Sequence, residues 1–158
     1  MVISKVYGQF SDYDGELKWD GKDLSTASVE ATIQVPSIDT QNANRDRHLR
    51  SSEFFAADGF PTITFKSTKV IPLEDNKFQI VGDLTIRGVT KQVTLDGDLN
   101  GVVADNRGNT RAGFSAATTI NRQDYGVSWS KTLDTGGLVA GNDVEIILEI
   151  EAVMNKDQ

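Results

Sequence analysis

Between positions 26 and 35 the chain changes character at every residue. Ala27, Val29, Ala31, Ile33 and Val35 are apolar, whereas Thr26, Ser28, Glu30, Thr32 and Gln34 are polar. A period of two belongs to an extended strand with one face on a core and the other in water. The same alternation returns at 62–70 through Ile63 and Phe65, and at 78–86 through Phe78, Ile80, Gly82, Leu84 and Ile86. It returns again at 89–99 through Val89, Lys91, Val93, Leu95, Gly97 and Leu99. At 144–153 Val144, Ile146, Leu148, Ile150 and Ala152 share a face opposite Asp143, Glu145, Glu149 and Glu151, broken only by Ile147. Residues 2–10 and 111–120 are further strand candidates, and 16–19 are expected to pair back across a turn at Asp14-Gly15. Gly97, inside a strand, marks a bulge or a close approach of backbone or ligand.

Residues 36–52 break this pattern. Positions 41–50 are polar and charged, with no apolar stripe. Asp39 or Thr40 could cap a short helix there, but neither has Glu or Gln three residues on. Residues 53–57 are expected to form a second helical turn capped by Ser51 or Ser52, with Phe54 and Phe55 sealing something apolar. Trp19, beside Asp20-Gly21, fits a surface ring as well as a buried one. Residues 132–142 contain the flexible pair Gly136-Gly137. About eight strands without strand–helix alternation give an all-β fold, an antiparallel barrel or a sandwich. A barrel of that size can hold one small ligand, whereas a sandwich fills its interior itself. Periodicity does not separate the two.

Composition excludes several functions. The 158 residues fit one domain. With no cysteine there is no thiol chemistry and no cysteinyl metal site. The net charge of −7 opposes binding to nucleic acid or to anionic membrane surfaces. No apolar run is long enough for a membrane-spanning helix, and the first residues are not those of a signal peptide. His48 is the only histidine. With Asp46 it supplies at most two metal ligands on one short segment, so neither a metal site nor a catalytic residue is expected. Arg45 and Arg47 are expected to pair with carboxylates and tie the crossover to the barrel end. No Gly-x-Ser-x-Gly elbow or phosphate-binding glycine loop is present.

Longer blocks carry a resemblance. They are Gly8-Gln9-Phe10, Tyr13-Asp14-Gly15, the stretch from Pro36 through Asn44-Arg45-Asp46-Arg47-His48-Leu49-Arg50-Ser51, and Phe60-Pro61-Thr62-Ile63-Thr64-Phe65. Gly82-Asp83-Leu84-Thr85-Ile86-Arg87-Gly88 follows, then Gly113-Phe114-Ser115 running to Asn121-Arg122 and Asp124-Tyr125-Gly126. Together they resemble the bacterial YceI-like, polyisoprenoid-binding family over nearly the whole chain. The resemblance implies a single YceI-like domain over 1–158. Its fold would be a lipocalin-like antiparallel β-barrel of about eight strands, with a short helical crossover near 41–57. It implies a non-enzymatic role: an isoprenoid lipid, or the tail of an isoprenoid quinone such as ubiquinone, held inside the barrel for carriage, storage or sequestration. It also implies a periplasmic or secreted setting, with a cytoplasmic one still open, and a homodimer among the expected states. The family's extra N-terminal segment is expected to be missing, and Gln92 stands where the family commonly has proline.

On that reading the lining candidates are Val29, Ile33, Phe65, Phe78, Ile80, Leu84, Val93, Leu95, Phe114, Ile146, Leu148 and Ile150, each of which could equally be ordinary core. The candidates for the mouth or head-group end are Arg45, His48, Phe54, Phe55, Arg122, Tyr125 and Trp129. The alternative is a β-sandwich carbohydrate-binding module displaying Trp19, Trp129 and the tyrosines as an exposed platform. A small enzyme using Arg45–His48 is the third reading.

Overall fold

The computed structural model describes residues 7–20, 23–104, 106–128 and 141–154. Seven strands form one antiparallel sheet: β2 (Tyr13–Lys18), β3 (Ser28–Gln34), β5 (Thr62–Pro72), β6 (Lys77–Ile86), β7 (Val89–Ala104), β8 (Thr110–Asn121) and β9 (Asp143–Met154), each bonded to the next. The short β1 (Gln9–Phe10) pairs with β4 (Ile38–Asp39). One helix, α1 (Ala43–Arg50), lies in the crossover between β4 and β5. The sheet curls into a half-barrel with β2 and β9 at its two ends, so the lipocalin-like, mostly β architecture expected from the sequence is the one observed. Of the expected strand 2–10, residues 1–6 lie outside the described residues, as do Gly136 and Gly137.

Asp14-Gly15 is not a turn. Tyr13–Lys18 runs as one strand, with Gly15 opposite Ala31 and Leu17 opposite Val29. An Asp-Gly pair makes a hairpin only when its flanks pair with each other, and here the edge of β3 offers six consecutive partners instead.

The curl has a local cause in β5. Its register slips between Ser67 and Lys69, and an extra residue bends a strand and increases its twist. The bulge leaves few polar groups unserved. Ser67 Oγ accepts the Val29 N–H at 2.8 Å, and Thr68 Oγ1 donates to the Val81 carbonyl at 3.1 Å. A second slip lies between Leu99 and Gly101 of β7.

The alternating apolar residues point inward. Val29, Phe65, Phe78, Ile80, Leu84, Leu95 and Phe114 are buried in one core, and Ile33, Val93, Ile146, Leu148 and Ile150 pack against it. Gly97 is a place of close approach by a ring, and no bulge falls on it. A Cβ there would lie 2.3 Å from the Phe78 ring.

The crossover differs in detail from expectation. Asn42, not Asp39 or Thr40, caps α1, accepting the Arg45 N–H at 3.0 Å. Asp39 accepts the Gln41 N–H at 2.8 Å. Thr40 donates both its N–H and its hydroxyl to the buried Asp46. The Thr40 hydroxyl bond holds the Asp46 carboxyl below its usual range against the opposing effect of burial, and Arg50 and Arg45 add to the lowering. Residues 52–55 form turns in place of a second helix, with Ser51 Oγ accepting the Glu53 N–H at 3.3 Å. Among the described residues neither Arg45 nor Arg47 forms the expected close ion pair with a carboxylate. Arg45 binds the Thr40 hydroxyl and carbonyl at 2.9 and 2.8 Å, and Arg47 reaches Asn44 at 3.4 Å. The nearby carboxylate of Asp46 is already engaged by Thr40.

Candidate functional site

The antiparallel register gives the half-barrel two unlike ends. At one end lie the start of β7 and the turn joining it to β6. Arg87 and Gly88 in that turn have φ of 52° and 75°, the left-handed pair that a tight hairpin requires. Arginine in this conformation carries strain, and its guanidinium is used. It donates to the Phe54 carbonyl at 2.8 Å and to the Gly126 carbonyl at 3.2 Å. Arg122, only 6% exposed, donates to the carbonyls of Gly141 and Val127 at 2.8 and 2.7 Å. Its guanidinium also stands 6.0 Å from the Phe54 ring centre. Burial pushes the Arg122 pKa down. Tyr125 and Val127 are buried beside it, and burial raises the Tyr125 hydroxyl pKa. This end is sealed.

The mouth candidates therefore separate into groups. Phe54, Arg122 and Tyr125 belong to the seal. Phe55 is half-buried, edge-on to Phe10 at 6.2 Å. His48 meets Glu53 at 2.5 Å and stands edge-on to Phe54 at 4.9 Å. Arg45 is held by Thr40, and Trp129 lies outside the described residues. Among the described residues no group of three or more His, Cys, Asp or Glu side chains could hold a metal ion.

The opposite end is different. Between the start of β3, the end of β5, the start of β6 and the middle of β8 and β9 runs a cleft of about 20 Å³. Its walls are Leu17, Leu24, Ala27, Val29, Val70, Phe78, Ile80, Phe114, Ala116 and Ile150, all apolar. Of the lining candidates, Val29, Phe78, Ile80, Phe114 and Ile150 lie on it. Ile33, Phe65, Leu84, Val93, Leu95, Ile146 and Leu148 belong to the surrounding core. Leu17, Leu24, Ala27, Val70 and Ala116 were not among the lining candidates. Reading 13–18 as one strand would have shown Leu17 sharing the inner face with Val29.

Trp19 stands behind this wall, against Phe114. It is half-buried and stands edge-on to Phe114, centres 5.7 Å apart, and Phe114 in turn meets Phe78 at 5.9 Å. Trp19 and Tyr125 thus both turn inward, whereas Tyr7 and Tyr13 are exposed.

A second groove opens where β7 leaves β8. Their ladder begins at Asp96 and Ala117, and before it the strands part. The gap, about 260 Å³, runs along the flank of the sealed end, where Tyr125, Val93 and Ile120 form part of its wall and Lys91, Gln92, Thr118, Asn121 and Asp124 make the rest mostly polar. Such walls suit water and hydrogen-bonding groups and offer little to a hydrocarbon.

No described helix is long and apolar enough to cross a membrane. The model of the YceI-like domain matches residues 1–152. A UPF0312 protein of Pectobacterium atrosepticum is 43% identical over 153 residues, covering 97% of this chain and 76% of the relative. One of Staphylococcus aureus is 41% identical over 146 residues, covering 92% of this chain and 82% of the relative. The crystal structure of the Campylobacter jejuni YceI protein superposes with a TM-score of 0.86 at 30% identity, covering 99% of this chain and 89% of that one. An inward-facing apolar sheet, a sealed end and these likenesses together support a binding role, and the chain belongs to the YceI-like family.

Proposed function

We propose that this protein binds a long apolar lipid, a polyisoprenoid or the tail of an isoprenoid quinone, in the half-barrel at its unsealed end, for carriage, storage or sequestration. The observation that carries this reading is the chemistry of the cleft: every wall residue is apolar. Such a wall rewards hydrocarbon at about 0.8 kcal/mol per buried CH₂, and it offers nothing to a sugar. At about 20 Å³ the cleft itself is filled by its own side chains, so a tail enters by moving side chains such as Leu17, Leu24 and Ile150 outward. We read the protein as non-enzymatic. The resemblance supports a periplasmic or secreted setting and a homodimer. The inward turn of Trp19 and Tyr125 removes two rings from the carbohydrate platform and leaves Tyr7 and Tyr13 on the surface.

Titration with an isoprenoid quinone, followed by quenching of tryptophan fluorescence, tests this. Ala27→Phe places a ring in the cleft and is expected to weaken binding by about tenfold or more, in line with the 1–3 kcal/mol typical of overpacking, while unfolding stays cooperative. Undiminished binding in that variant would remove the lipid from this cleft.

A further inference from the structure

One polar atom in this interior is unaccounted for. Trp19 Nε1 is buried and has no hydrogen-bond partner. An indole N–H is a donor only, and leaving one buried and unpaired costs free energy. Native proteins rarely keep such a group without a use. A buried water needs two to four polar partners, and the neighbouring cleft walls supply none. The ring itself is fixed edge-on to Phe114, a wall of the cleft. Among the described residues the cleft walls carry no lysine, arginine or histidine.

We infer that Trp19 is a specificity determinant: its Nε1–H donates to a single uncharged acceptor oxygen, a quinone or other carbonyl, at one end of the bound hydrocarbon. This inference rests on the lipid reading above and narrows it. The ligand is an apolar tail bearing a neutral carbonyl, in preference to a bare hydrocarbon. The carbonyl end sits beside Trp19 at the unsealed end, away from Arg122.

Affinities of two probes settle it: a benzoquinone carrying a short isoprenoid tail, and the same tail on an alkylbenzene ring of the same size, which lacks the carbonyls. Binding is measured by mass spectrometry of the lipid retained after gel filtration. Wild-type protein is expected to prefer the quinone by about fivefold, the factor of one net hydrogen bond of about 1 kcal/mol. Trp19→Phe keeps an aromatic ring and removes the donor, so the preference is expected to vanish. Any effect of the smaller ring falls on both probes alike and cancels in the ratio. A preference that survives in Trp19→Phe, or equal affinities in the wild type, would overturn the role of Trp19 and leave the lipid reading standing. Failure of both probes to bind the wild type would overturn both.

Discussion

Replacing Arg122 by methionine is expected to lower stability by about 3 kcal/mol, seen as a fall in the urea midpoint with an unchanged slope. Methionine keeps much of the apolar stem, so packing against Phe54 is largely retained. What disappears are the donors to the Gly141 and Val127 carbonyls at 2.8 and 2.7 Å. A buried carbonyl left without its partner costs about 1–3 kcal/mol, and here the buried Val127 carbonyl and the partly buried Gly141 carbonyl lose theirs at once. A buried charged residue can sometimes be exchanged for an apolar one at no loss, but only when its partners are replaced as well. Here the two short bonds are to backbone carbonyls, which cannot be exchanged. Lysine is expected to recover less than half, because a single ammonium cannot reproduce the planar fork. A change below about 0.5 kcal/mol, the range of ordinary surface substitutions, would mean that the seal does not depend on Arg122.

The second large effect is at Gly97. A Cβ there would lie 2.3 Å from the Phe78 ring, which is 3% exposed and locked edge-on to Phe114. Gly97→Ala must therefore push that ring, or the strand beneath it, out of place, at about 2–3 kcal/mol. The cause is checked by a double-mutant cycle. Phe78→Leu removes the ring, so in its presence Gly97→Ala is expected to cost at least about 1 kcal/mol less than alone. Additive effects would place the strain in the backbone and not between Gly97 and the ring. The same geometry has a functional side. Phe78 and Phe114 are cleft walls, so glycine at 97 sets how far back the Phe78 ring can lie.

The strands were legible because side-chain alternation is local. The run from Ala27 to Val35 announces its inner face without any knowledge of its partner. Partner choice is not local, and the reading of Asp14-Gly15 as a turn failed for that reason: Tyr13–Lys18 pairs with β3 and not with itself. That same misreading hid Leu17 and left the direction of Trp19 open. The seal was visible only as a group of aromatic and charged residues. Arg122 and Arg87 are held mainly by backbone carbonyls, and carbonyls leave no mark in residue type. The Asp46–His48 cluster invited a chemical reading, yet Asp46 serves Thr40 and His48 meets Glu53. The bulge at Ser67 and Lys69, which curls the sheet, carries no signal in the alternation at 62–70 beyond a slip at its end.

The central claim is that this interior holds an apolar lipid. Its most direct test is mass spectrometry of a chloroform–methanol extract of the protein purified without detergent, before and after incubation with an isoprenoid quinone. The expected result is a stoichiometric species with an isoprenoid tail and a neutral carbonyl end. An extract empty in both states would contradict the claim.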